Sequence, residues 1–547
     1  MTRTRSYSIY LLKPAYDATN ALKDDTKLEA GIDANGLPEG AVLHVLDNPP
    51  YTPWWAGYFG IQKELRQVSK GSIVFLPAAG RWFALSFGHV SHNLKDESYE
   101  YDFGLRVTLN SVDPDKLKST DTLEPSGSKR QRIQVPTASD LTVFDIDTDS
   151  NILKSLTGKV KAEHKKTFSH ASGASSIRIS SAVAADGLID LCGKLLVLYQ
   201  DNSFETVFPD IQNISPVRDP VVVDQLNAKL IDAIKAKDDG VSLSIPEIQN
   251  YAAGIWGTFS GERGGLIYDD IYIARYFEYL DAAGFDLNGI DKKTHLDRHR
   301  LALTSEDGSS VLDSWPIFKC LVFDTTLVQG GEAYHLSEGN WYAISTDYVT
   351  RLTTYLDPLC KDTGLPDFTH EDEATYNLAS AAALATRVCL DKTNIAPAGQ
   401  KQVEPCDVYE VADGKAVLHH VKISTLSAQL SHLFNQGTNS VKLLRADAEA
   451  LTNLQNLVSA KVAPAAPDAM VAPLKADQMK VVFQIVTHKD KEPKSLNLPL
   501  FSRISLMRCM KELKVMGIEA EFCFISDQSA KTAGKKKARK PKGGGAE

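Results

Sequence analysis

The chain has 547 residues, 43% of them hydrophobic and 24% charged, with a formal net charge of −9. This length and balance describe a globular protein of about two to four domains with ample core. They exclude a chain that is basic throughout, so any nucleic-acid surface has to be a local patch. No run approaches the ~20 apolar residues of a membrane-spanning helix. The N-terminus has no apolar signal core, and the seven cysteines are scattered without a CxxC pair. A cytoplasmic protein without zinc or disulfide frameworks is therefore expected.

Residues 7–12 read as a strand and residues 15–28 as a helix. Two strands follow at 71–77 and 81–87 about a Pro/Gly turn. Trp54 and Trp55 read as core or a domain contact, with a base-stacking platform as the alternative. His89 and His92 read as a polar loop after a strand, with ligands or active-site groups as the alternative; the run 101–110 follows, and 112–135 is a polar excursion or linker. Strands are expected at 141–146 and 176–180, and helices at 188–199 and 221–236. Residues 267–273 alternate like a strand, with Asp269 and Asp270 in a solvated turn or forming a metal pair. A second strand-rich patch covers 318–325, 333–336 and 340–345, and residues 347–359 form a helix.

The C-terminal part has the clearest pattern. Residues 373–385 read as a helix, 388–391 as a short apolar strand, and 403–411 and 416–423 as two strands. Asp413-Gly414 between apolar β-branched runs is a strong hairpin signal. A helix over 424–437, a strand over 479–488, a helix over 501–516 and a strand over 518–525 complete an αβββαβαβ order. The expected fold is α+β and α/β multidomain. A strand-rich α+β domain covers 1–160, a mixed region 161–345 and an α/β domain with a mixed central sheet 346–527; a basic, disordered tail covers 528–547.

On a strand of period two, His420 and Lys422 share a face, Asp407 sits across the hairpin, and Glu373 completes an acidic-basic cluster. This order resembles the restriction-endonuclease-like αβββαβ core of the PD-(D/E)xK nuclease superfamily. Pro405, Cys406 and Asp407 stand for its PD half. His420, Val421 and Lys422 stand for (D/E)xK, with histidine in place of the acid. The resemblance implies a catalytic set of Glu373, Asp407, His420 and Lys422. Glu373 and Asp407 hold Mg²⁺ or Mn²⁺, and Lys422 stands near the attacking water. His420 suits Mn²⁺ or Zn²⁺ better than Mg²⁺, or acts as a general base. Lys422, Ser427, Ser431, His432 and Gln436, with Arg503 and Arg508 on the later helix, are the expected nucleic-acid contacts. The alternative is a fold that binds without cutting, in which Asp407 merely pairs with Lys422.

A second resemblance runs over nearly the whole chain. Glu373, Tyr376, Asn377, Cys406, Asp407, His420 and Lys422 carry it, with Leu430, Ser431, His432, Leu433, Phe434, Gln436 and Gly437. The runs at 7–13, 103–106 and 498–502 fit it too. Together they look like a sporadically distributed, functionally uncharacterised bacterial family. Patchy distribution implies anti-phage or foreign-DNA defence, with nucleic acid, most simply DNA, as the partner. A non-catalytic sensor, or a scaffold acting with a protein partner or as a homo-oligomer, is the alternative.

Overall fold

The computed structural model describes residues 4–529 except 33, 125–128, 145–151, 209–213, 239, 248–255, 307, 309, 328–331, 424–426 and 463–466. The basic tail from residue 530 lies outside the described residues. The protein is mixed α+β and divides into two compact units, residues 1–124 with 129–213, and residues 125–128 with 214–547. Among the described residues no helix is long and apolar enough to cross a membrane.

The first unit is one ten-stranded sheet in which every neighbouring pair is antiparallel. Arg5–Leu11 lies inside it, between Arg81–Phe87 and Ile177–Ser181. Alternation gives the sheet two faces. Val74 and Leu76 pack with helices Phe103–Ser111 and Leu188–Gln200, while Ile73 and Phe75 pack under the loop carrying Ala18, Ala21 and Leu28. Strands His170–Gly173 and Ile177–Ser181 belong to this sheet, so the unit extends past residue 160.

Three expectations in this half are corrected. Residues 15–28 form turns rather than a helix, because Asp17 and Asn20 bond to nearby backbone: Thr19 N donates to Asp17 Oδ1 at 2.7 Å, and Asp17 N to Asn20 Oδ1 at 2.9 Å. Residues 101–110, which carry no assignment from sequence, supply a helix, Phe103–Ser111. Phe103 and Val107 are buried one turn apart, and Gly104 lies so close to the Ser176 carbonyl that a Cβ would sit 2.0 Å from its oxygen. The polar stretch after it is a long hairpin, Val112–Glu124 with Lys129–Ser139, not a linker. Of residues 141–146, Leu141–Phe144 is a 3₁₀ turn and the remainder lies outside the described residues.

In the second unit a five-stranded and a four-stranded sheet share a core that includes Leu230, Tyr276, Leu301 and Trp341. The strand expected over 267–273 is confined to Ile267–Tyr268, and helix Ile273–Ala282 follows. Asp269 and Asp270 are exposed.

The third sheet of this unit has six strands in the order Cys360–Lys361, Glu519–Ser526, Met479–Thr487, Lys415–Lys422, Val408–Ala412, Arg387–Cys389. The first four run parallel, and the last two join antiparallel. Ala416, Leu418, Val481, Phe483 and Phe522 face a core closed by helices Thr346–Leu356, Ser427–Ala446 and Leu500–Val515. Val421, Val486 and Ile525 face the other way, against Leu365, Phe368 and Tyr376. Burial on both faces explains the nearly continuous apolar runs of the parallel strands. The helix, three strands, helix, strand, helix, strand order is present, with two further helices, Ala448–Val462 and Pro467–Lys475, in the crossover.

Candidate functional site

The site is built at the end of the hairpin. Asp413 and Gly414 have φ of 51° and 74°, the left-handed pair that a two-residue hairpin turn requires. They set the register in which Val408 faces His419. Pro405 has no N–H to give a ladder, so regular pairing begins just beyond it. Asp407 N donates to His419 O at 2.9 Å, and the Asp407 carboxylate then accepts the next free backbone N–H of that edge, from Val421, at 2.7 Å. Two residues on, the N–H of Ile423 is taken by Glu373 Oε2 at 3.1 Å. Glu373 is placed by the start of helix Glu373–Ala382, whose cap Asp372 accepts from Thr375 N at 2.8 Å. The Lys422 ammonium lies 3.2 Å from both oxygens of Glu373. Glu373, Asp407 and Lys422 therefore converge on one strand end.

Two acids that sequence reasoning passed over complete the cluster. Leu390 N and Asp391 N both donate to Asp407 O, at 2.9 and 3.1 Å. Glu404 accepts from Gln436 Nε2 at 2.7 Å and from the Lys392 N–H. Asp391, Glu404 and Asp407 each bring a carboxylate oxygen within 4.8 Å of the others. Crowding and burial make full ionisation costly. Burial, reinforced by the charges of Glu404, Glu373 and Asp391, pushes the Asp407 carboxyl up to about 8 against the pull of the Val421 N–H. Burial likewise raises Glu404, with Asp391 adding to it. An all-oxygen set in which Asp407 holds a proton at neutral pH suits a hard divalent cation, which would displace that proton.

The sequence profile of a family of unknown function, DUF6119, matches residues 7–526. The chain belongs to this family. No curated protein and no solved structure matches it. The DUF6119 match takes in every site residue and ends with the last strand of the six-stranded sheet.

Several expected positions fall elsewhere. His420 is fully buried, 6.0 Å from the Phe483 ring and against Gly437, where an added Cβ would come within 3.1 Å of its ring. Among the described residues neither ring nitrogen has a partner, and burial drives its pKa down to about 3, so it is a neutral core residue rather than a ligand or base. Glu373, not Asp407, pairs with Lys422. Ser431 is buried, with its hydroxyl 3.3 Å from that of Ser505. Arg503 is interior, with Nε and Nη1 unpartnered among the described residues and burial lowering its pKa, so it cannot meet a nucleic acid at the surface. His432 is exposed, and Arg508 is partly buried with Nη2 3.4 Å from Asn435 Oδ1. The Ser427 side chain lies outside the described residues.

The opposite face of the sheet carries a buried polar chain. Glu410 Oε2 meets His419 Nε2 at 3.0 Å and Arg387 Nε at 3.1 Å. Gln484 Nε2 lies 3.1 Å from His419 Nδ1 and Gln484 Oε1 accepts from Thr363 at 2.8 Å. The run of ion pairs and hydrogen bonds marks a structural tie across four strands.

Proposed function

We propose that the C-terminal sheet carries a PD-(D/E)xK-like, divalent-cation-dependent site that cleaves nucleic acid. The observation that carries this reading is the meeting of Asp391, Glu404 and Asp407 beside the Glu373–Lys422 pair at one strand end. Asp391, Glu404 and Asp407 would hold Mg²⁺ or Mn²⁺; the metal set thus takes Asp407 from the sequence expectation and exchanges Glu373 for its two neighbours. A bound cation would lower the pKa of a water and neutralise phosphoryl charge. Lys422, held by Glu373 until a phosphodiester arrives, would stabilise the charge that develops on the phosphate. Gln436 keeps Glu404 oriented through its 2.7 Å bond. A role in cytoplasmic defence against foreign DNA rests on the family resemblance.

The test is nicking of supercoiled plasmid by the full-length protein with Mg²⁺, Mn²⁺ or EDTA, with calorimetric titration of Mn²⁺ alongside. Cleavage and Mn²⁺ binding that both disappear in Glu404→Gln are the expected result. Failure to bind Mn²⁺ overturns the reading. A second reading has its own support: the residue two before Lys422 is a buried histidine rather than an acid, and Glu373 already occupies the lysine. This favours a site that binds phosphodiesters without cutting, which would show as salt-sensitive, metal-independent binding lost in Lys422→Ala.

A further inference from the structure

Strands Val42–Asp47 and Lys70–Ala78 are neighbours in the first unit's sheet, and residues 48–69 run out from their paired ends, where Asp47 faces Lys70. A two-way backbone bridge closes the neck of this excursion, Tyr51 N to Gln67 O at 3.0 Å and Gln67 N to Tyr51 O at 2.8 Å. Its tip is the short helix Trp54–Tyr58, tied back by Phe59 N to Trp55 O at 3.0 Å and Ile61 N to Ala56 O at 2.9 Å. The helix is packed inside out: its one buried residue is Ala56, while Trp54, Tyr58 and Phe59 are 78%, 76% and 71% exposed. The expectation that this tryptophan pair belongs to a core is corrected by that exposure. Large exposed apolar clusters mark interaction sites.

We propose that this tip is a stacking platform for single-stranded nucleic acid, separate from the carboxylate site and independent of whether that site cuts. The rings are fixed but not covered. Trp54 and Tyr58 stand edge to face with centroids 6.0 Å apart, and Tyr58 and Phe59 do the same at 5.0 Å. The exposure of the three rings leaves ring surface open to solvent, and every base has a π-face to lay on it. Charge favours a polyanion. Residues 48–69 carry Lys63 and Arg66 against one carboxylate, Glu64, a net of +1 in a chain of −9. Arg66 pairs with Glu64 and Lys70 with Asp47, leaving the excursion without surplus negative charge. Exposed flat rings on an excursion that also carries an exposed lysine, Lys63, are the combination that sequence-tolerant single-strand binders use.

The experiment uses the full-length protein in EDTA, with fluorescence anisotropy of labelled oligothymidylate and, separately, oligouridylate. Trp54→Ala/Tyr58→Ala should weaken binding of the preferred oligonucleotide by roughly tenfold to a hundredfold at an unchanged melting temperature. Lys63→Gln should lower the salt slope of binding by about one. The Trp54→Ala/Tyr58→Ala protein should bind Mn²⁺ as the wild type does, which separates a failure here from a failure at the carboxylate site. Unchanged affinity in the double variant overturns the proposal. So does a double variant whose only loss is self-association in sedimentation or pelleting with anionic vesicles, since the patch is then a contact between copies or with lipid.

Discussion

Asp407 accepts the backbone N–H of Val421 at 2.7 Å, and in doing so ends the ladder of the strand that carries Lys422. The same carboxyl is nearly sealed from water among other acids, with its pKa raised from 3.8 to about 8. A folded-state pKa above the unfolded value means that the folded form binds the proton more tightly. The resulting stability is complete below the unfolded pKa and is lost as pH rises through about 8. The wild-type melting temperature should therefore fall between pH 5 and pH 8, and Asp407→Asn should flatten that fall. Asparagine keeps an acceptor for Val421 and carries no charge. Parallel pH profiles for the two proteins by scanning fluorimetry would show the carboxyl uncoupled.

The cation should oppose that loss. Mn²⁺ at a hundredfold excess over its dissociation constant should stabilise the protein by about 2.7 kcal/mol at pH 8. Asp391→Asn and Glu404→Gln should each remove most of that gain, because each replaces by a neutral amide one of three carboxylates whose oxygens lie within 4.8 Å of one another. Melting with and without Mn²⁺ reads this without any nuclease assay. An equal gain in all three proteins would place the ion elsewhere.

The Glu373–Lys422 pair separates chemistry from folding. Both side chains are about a third exposed, 30% and 31%, so the pair is screened and worth about 0–1 kcal/mol to the fold. Lys422→Ala should leave the melting temperature within a few degrees and lower cleavage by about a hundredfold or more. Glu373→Gln loses the charge but retains an acceptor for Ile423 N, so it should free the lysine and tighten nucleic-acid binding. Melting, plasmid nicking and binding on the two variants check this. Weaker binding in Glu373→Gln would mean that the acid positions Lys422 productively rather than restraining it.

How much of this was visible in sequence follows from which interactions are local. Asp413-Gly414 announces its turn because left-handed φ angles restrict residue choice, and the hairpin register then places Asp407 near Lys422 without further information. Glu373 was legible as the first acid of a helix. Asp391 and Glu404 were not, because they lie on irregular backbone either side of a Pro/Gly turn. They are brought to Asp407 by bonds from Leu390 N and Asp391 N and by Gln436 on a distant helix. Their only sequence signal was acids at 391, 404 and 407 flanking that turn. His420 was misplaced because period two gives the face and not the depth: Lys422 reaches water at the strand end, while His420, on the same face, lies under helix Ser427–Ala446. In the first unit the alternation of Phe103, Leu105, Val107 and Leu109 mimics a strand, and only the close approach of Gly104 to Ser176 reveals the helix.

His420 supplies the sharpest separation of site from scaffold. Its ring is fully buried, neither nitrogen finds a partner among the described residues, and Phe483 and Gly437 pack against it. An unsatisfied buried polar group costs about 1–3 kcal/mol, so His420→Leu, similar in volume and apolar, should be neutral or stabilising. The pH dependence has the opposite sign to that of Asp407. The folded pKa is lowered from 6.5 to about 3, so the unfolded chain binds the extra proton, and stability present above pH 6.5 is lost as pH falls toward 3. His420→Leu should resist acid better than the wild type and keep cleavage, metal binding and nucleic-acid affinity unchanged at pH 7.5. A variant that folds equally well but no longer cuts would return His420 to the chemistry as a base or ligand. It would also mean that the strand end opens in solution far enough to expose the ring.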